Sequence, residues 1–180
     1  MDSNAIETIA VNAVRDSIVT SDFLGQFISD NDKEPSWDGF VYIYKDKSKK
    51  KSQLKGRLPV QVKGKVSKCF SKVEVSYPVS VCDLQNYLYD GGVVFFVVYI
   101  SRDGLTRKIY YAELPPIKLR VTLNSVSSQK TKSIKLKEFP SDGDKKATIF
   151  LNCYDNCQRQ ASFTDAKLYS LEELEQQGVL

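Results

Sequence analysis

The sequence predicts an α/β domain, a mixed β-sheet flanked by helices in the order αβββαβ, with a C-terminal extension. Three stretches carry that expectation. Ile6, Ile9, Ala10, Ala13, Val14 and Ile18 recur at helical spacing. Phe40-Val-Tyr-Ile-Tyr44 and Leu58-Pro-Val-Gln-Val-Lys-Gly-Lys65 are β-rich runs. Val93-Val-Phe-Phe-Val-Val-Tyr-Ile100 is apolar on both faces, the mark of a central strand covered on both sides.

In chain order, Asn4-Ala-Ile-Glu7 has the form of a capping box and predicts a helix running to about Val19. Phe23 to Ser29 fits a short first strand. Asp30 to Ser36 is turn-rich, with Asp30, Asp32 and Glu34 in a loop that lacks the glycine and terminal glutamate of a calcium loop. Phe40–Tyr44 and Leu58–Lys65 follow as strands, joined by the charged connection Lys45 to Gly56. Glu74 to Pro78 is extended, because a residue before proline disfavours helix. Ser80 starts a helix from Val81 to Tyr89, which Asp90-Gly-Gly92 ends. After Val93–Ile100, Arg102-Asp-Gly104 turns the chain into Lys108–Glu113 as an antiparallel partner. Tyr110 and Tyr111 fit strand and core packing better than base stacking. Beyond Pro115-Pro116, residues 117–126, 133–137 and 148–152 read as short strands or irregular pieces. Asp142-Gly-Asp144 reads as a turn, and residues 153–161 and 171–177 as helical. The division expected is a core at 1–120 and an extension at 121–180. Leu171-Glu-Glu-Leu-Glu-Gln-Gln177 contains no stop signal, so a longer polypeptide with further domains is expected.

Composition narrows the function. The 180 residues include no histidine, which excludes Ser-His-Asp and Cys-His hydrolases, His-dependent nucleases and His-ligated zinc enzymes. The 4 cysteines show no C-x-x-C pair, and reduced, partly buried thiols are expected. The apolar fraction of 42% supplies a core, while no apolar run nears the roughly 20 residues of a membrane span. The amino terminus lacks the basic and apolar regions of a signal peptide, so a cytoplasmic location is expected. Net charge is +4, but unevenly spread: between Lys45 and Lys72 there are ten lysines and one arginine against a single acid, Asp46. Such a block suits a nucleic-acid backbone, whereas Lys45 to Lys55 alone suits a solvated hairpin tip.

Gln61 and Lys63 alternate with Val60 and Val62 and so project from one face of a strand. Asp38, followed by Gly39, leads into Phe40–Tyr44. Pairing of these strands would bring an acid, an amide oxygen and an ammonium together. Carboxylate and carbonyl oxygens are hard ligands for Mg²⁺, and a neighbouring lysine stabilises charge on a phosphoryl group. Singly, Lys63 also suits a solvated strand position, Gln61 a cross-strand hydrogen-bonder and Asp38 a turn cap.

Asp38 followed by Gln61-Val-Lys63 resembles the signature of the PD-(D/E)XK nuclease-like superfamily. The glutamine variant is similar to Mrr-type restriction endonucleases and to a related family of bacterial domains of unknown function. The resemblance covers roughly Ala5 to Leu119 and implies a restriction-endonuclease-like core. Trp37 stands where the family has its proline, and Gln61 replaces the usual acid, which removes one negative charge. The resemblance implies Asp38, Gln61 and Lys63 as catalytic residues, with Mg²⁺ (or Mn²⁺) held by Asp38 and Gln61. A glutamate of the first helix often joins such a site; Glu7 holds that position, and its capping role explains it equally well. Lys65 shares the face of Lys63, and Lys55, Arg57 and Lys68 complete the expected nucleic-acid contacts. The function implied is a Mg²⁺-dependent endonuclease acting on double-stranded DNA in bacterial restriction or anti-phage defence. A homodimer, or further domains and partner proteins of a defence system, would accompany it, with no membrane. The alternative is an inactive nuclease-like module for nucleic-acid binding, assembly or sensing.

Overall fold

The computed structural model describes residues 1–29, 35–164 and 170–178. Its first helix, α1 (Ser3–Val19), buries Ala10, Ala13, Val14 and Ile18 of the stripe read from the spacing, together with Val11, while Ile6 and Ile9 are half-buried against the same core. The helix starts two residues earlier than expected. Asp2 is the N-cap, its carboxylate accepting from the Ala5 N–H at 2.8 Å. The expected box between Asn4 and Glu7 is therefore not formed, and Glu7 lies in the second turn.

β1 (Leu24–Ile28), β2 (Gly39–Tyr44) and β3 (Leu54–Val66) form an antiparallel meander. β3 is longer than expected and begins after a 3₁₀ turn at Lys51–Gln53. It also pairs in parallel with β5 (Val93–Ile100), every residue of which is buried. The connection between them carries β4 (Glu74–Ser80) and α2 (Val81–Tyr89). β6 (Arg107–Leu114) is antiparallel to β5, and Tyr110 and Tyr111 are buried in the core. The result is a mixed seven-stranded sheet in the order β1-β2-β3-β5-β6-β7-β4, flanked by helices. Pro78 is tolerated because β4 is an edge strand and needs no second set of main-chain bonds.

The second half departs from expectation. Of residues 117–126, read as strand-like, 117–124 belong instead to helix α3 (Pro116–Asn124), with Pro116 in its first turn. Ile117, Leu119, Val121 and Leu123 alternate like a strand, yet only Leu119 of these is fully buried. The run 133–137 is indeed a strand, β7 (Thr131–Glu138), lying between β6 and β4. Residues 148–152, also read as strand-like, lie inside α4 (Gly143–Arg159), and Asp142 caps that helix rather than making a free turn. α5 (Leu171–Gln176) closes the described chain with a capping box at Ser170 and Glu173.

One core lies on the sheet face covered by α1 and α4, including Val60, Val62, Phe96 and Phe150. The other joins α2, α3 and the β4–β7 ribbon, including Leu84, Phe95, Val97 and Leu136. Residues from β7 and α4 thus complete the same sheet and cores as the first 120. The expected loop acids Asp30, Asp32 and Glu34 lie outside the described residues. Among the described residues, no helix is long and apolar enough to cross a membrane.

Candidate active site

Asp38 is placed by backbone. Its N–H donates to Val60 O at 3.0 Å, and its carbonyl accepts from the Ser29 N–H at 2.7 Å, so it continues the β1–β2–β3 ladder by one residue. The next residue, Gly39, has φ +139, and a Cβ there would lie 2.0 Å from Phe27 O. Only glycine lets β1 approach this closely. The acid's location is therefore set by a neighbour without a side chain.

Its carboxylate is equally constrained. Asp38 Oδ2 accepts the Val62 N–H at 2.6 Å and Gln61 Nε2 at 2.6 Å. Gln61 is 3% exposed, and a buried amide must be paired. Because a carboxylate can only accept, the amide has to turn its NH₂ to Asp38. Gln61 Oε1 is then the end that accepts, and it receives no hydrogen bond from the described residues. The expected pairing of strands and convergence of Asp38 with Gln61 is present, by way of the amide nitrogen.

Lys63 follows on the same strand, opposite Val97 of β5, and is exposed. Gly64 brings α1 against it: a Cβ at Gly64 would lie 2.5 Å from Ile6 Cγ2 and 2.8 Å from Ile6 O. That close approach carries Glu7 to the same place. Glu7, Asp38, Gln61 and Lys63 line one cleft of about 420 Å³, together with Ser3, Ile6, Ser36 and Asp83. Four expected site residues from three separate segments thus meet.

Asp83 and Ser36 were not foreseen. Ser36, at φ 73, is held in the left-handed region that only a few per cent of non-glycine residues adopt. Its hydroxyl donates to Asp83 Oδ1 at 2.8 Å and accepts from Asn86 Nδ2 at 2.9 Å. Ser80, the N-cap of α2, donates to Asp83 Oδ2 at 2.7 Å and accepts from the Asp83 N–H at 3.0 Å. The Ser80-x-x-Asp83 spacing was a legible capping signal; the contact with Ser36, 47 residues away, was not. Beneath the cleft, burial pushes the Tyr87 hydroxyl well above the ordinary phenol range. The Asp83 and Asp38 carboxylates push it in the same direction, so the cleft floor carries a negative field.

The oxygen donors fit a hard divalent cation by type: the carboxylates of Asp38 and Glu7 and the amide oxygen of Gln61. Among the described residues, no group of three His, Cys, Asp or Glu side chains is arranged to hold a metal ion. Such a cation would take its remaining ligands from water and substrate oxygens.

The expected nucleic-acid contacts separate. Lys65 is exposed next to the cleft, with Nζ 5.4 Å from the Tyr99 ring centre. Lys68 is exposed in the β3–β4 connection. Arg57 lies over the Phe40 ring at 4.2 Å. Lys55 is six residues from Gln61 along β3, roughly 20 Å at about 3.3 Å per residue. It pairs with Asp155 of α4 at 2.9 Å, so the fold does not bring it to the cleft.

Comparison of the chain with protein-family models, with curated proteins and with solved structures found no match.

Proposed function

We propose that this cleft hydrolyses phosphodiester bonds of double-stranded DNA in a Mg²⁺- or Mn²⁺-dependent manner, on a restriction-endonuclease-like core. The observation that carries the proposal is the meeting of Glu7, Asp38, Gln61 and Lys63 in one cleft. The order of α1, three antiparallel strands, α2 and a parallel β5 also suits such a core.

Asp38 and the Gln61 oxygen, with Glu7 across the cleft, would hold the cation. When bound, it would supply Lewis-acid stabilisation and lower the pKa of water. The chain's own contribution is positional. The Val62 N–H and the Gln61 amide fix the Asp38 carboxylate, while Gly39 and Gly64 fix the strand and helix that carry it and Glu7. Lys63 places an ammonium at the cleft, where it binds the substrate phosphoryl oxygens and stabilises their growing charge. The setting proposed is bacterial restriction or anti-phage defence, acting as a dimer or with partner domains.

Plasmid cleavage with Mg²⁺ or Mn²⁺ tests this, with EDTA as control. Cleavage by the wild type should fall by about 10²-fold or more in both Asp38→Ala and Lys63→Ala. Cleavage that persists in both variants would exclude this cleft.

A second function is supported by the bonds at Asp38. One carboxylate oxygen already carries two N–H donors, and the neutral Gln61 adds no negative charge, so cation affinity is reduced. In that case the domain binds DNA without cutting it. Metal titration by calorimetry separates the two: the enzyme shows binding that Asp38→Ala abolishes, and the binding module shows none.

A further inference from the structure

Past the cleft, β3 keeps the same face outward. Lys65 follows Lys63 by two residues, about 7 Å along that face. It lines the next hollow, about 490 Å³ in volume, with Lys72, Ser76 and Lys135; Glu74 is the acid among its lining residues. A smaller hollow of about 220 Å³ shares Lys135 and adds Lys118 and Lys137, opposed by Glu113. Five lysines from β3, the β3–β4 connection, α3 and β7 therefore surround two glutamates.

Packing sets where these ammonium groups stand. The Tyr99 ring lies under Lys65. The chain at Lys72 is pinned by Tyr110, whose hydroxyl donates to Lys72 O at 2.8 Å. Lys135 sits opposite Ser76 in the β4–β7 ladder. Among the described residues, none of Lys65, Lys72, Lys135 and Lys137 forms an ion pair within 4.0 Å. Burial lowers the Lys118 pKa and raises that of Glu113, so this end of the surface is partly shielded from water.

We infer that this surface binds the phosphate backbone of duplex DNA leaving the cleft, with Lys65 nearest, then Lys72 and Lys135. The inference rests on the phosphodiester chemistry proposed for the cleft and adds the path of the substrate. Each lysine that meets a phosphate releases a condensed counterion, so contacts are counted by the salt dependence of binding. The Lys45–Lys55 segment, basic by composition, lies at the opposite end of β3 and is not on this path.

The test is anisotropy of a short fluorescein-labelled duplex in EDTA across a salt series, alongside plasmid cleavage. Two triple variants remove the same charge from exposed positions: Lys65→Gln/Lys72→Gln/Lys135→Gln, and Lys45→Gln/Lys50→Gln/Lys51→Gln. The first should weaken binding on the order of a hundredfold near 0.1 M salt and lower the log–log salt slope by about 3. The second should change affinity less than about threefold and leave the slope in place. Arginine at the first three positions should restore binding, showing that charge rather than fold was lost. Equal losses in the two variants, or a larger loss in the second, overturn the inference, while cleavage by the wild type still upholds the cleft. A wild type without measurable binding also overturns it, and the cleft chemistry falls only if that protein fails to cut as well.

Discussion

Lys47 and Lys49 of the β2–β3 connection are bonded to the protein, whereas Lys65, Lys72 and Lys135 are exposed to solvent. Lys49 Nζ donates to Ser21 O at 3.0 Å and to Leu24 O at 2.6 Å, and Lys47 pairs with Asp22 at 2.8 Å. Lys146 goes furthest. It is 2% exposed, and Nζ donates to Ser17 O and Thr20 Oγ1, both at 2.8 Å, at the carbonyl end of α1. An ammonium there satisfies orphan acceptors and complements the helix dipole. Lys65, Lys72 and Lys135 hold no comparable bond to the protein. Composition alone weights all these residues equally; partners mark the lysines that hold the fold, and place along β3 distinguishes the exposed ones beside the cleft from those at the far end.

The largest effect should come from Lys146→Ala, which leaves a cavity and two unsatisfied acceptors. Chemical denaturation should show a loss of about 2–4 kcal/mol. The same residue gives a pH signature. Burial holds the Lys146 pKa below 10.5, with Asp142 opposing that shift. Between its folded pKa and 10.5 the unfolded chain therefore binds more protons than the native one, so this contribution to stability rises with pH across that window. The stability gap between the wild type and Lys146→Met should widen in favour of the wild type as pH climbs towards 10.5. A gap that narrows would show that Lys146 stays ionised in place.

Next in size is Gly64→Ala, whose methyl group meets the backbone of Ile6. It should cost about 1–3 kcal/mol and also reduce cleavage, because α1 carries Glu7 away from Lys63. Unchanged melting and cleavage would mean that the approach of α1 is not needed. Smaller still, Lys49→Ala should cost about 1 kcal/mol by losing its bonds to Ser21 O and Leu24 O. Lys65→Ala and Lys135→Ala should each stay within about 0.5 kcal/mol of the wild type. A loss at Lys65 as large as that at Lys49 would erase the distinction between the two groups.

That distinction also explains what was legible in the sequence. The apolar periodicities of α1, β2, β3 and β5 were readable because, Gly39 and Gln61 apart, every buried position is hydrophobic. Of α4 only the end was read, within the helical run 153–161, since its buried stripe is Lys146, Phe150, Cys153 and Cys157. A lysine at a core position disguised the helical period, and Thr148-Ile-Phe-Leu151 then looked like a strand. α3 was missed for the reverse reason: its exposed Ile117 and Val121 imitate strand alternation. At the cleft, Asp38, Gln61 and Lys63 could be found because β2 and β3 are neighbours in sequence. Asp83 could not, because its tie to Ser36 forms only once α2 has crossed from β4 to β5.

The joint between β6 and β7 is short, with Tyr110 facing Glu138 and Tyr111 facing Lys137 as its paired residues. The Phe139 N–H adds a bond to Ile109 O at 2.8 Å, β4 continues directly into α2, and Val75, Val79, Ile134 and Leu136 pack the ribbon into the core. A ladder this brief puts few hydrogen-bonded rungs between the ribbon that carries Lys135 and the strands that align Asp38 with Gln61, so strain applied at one would reach the other mainly through packed side chains.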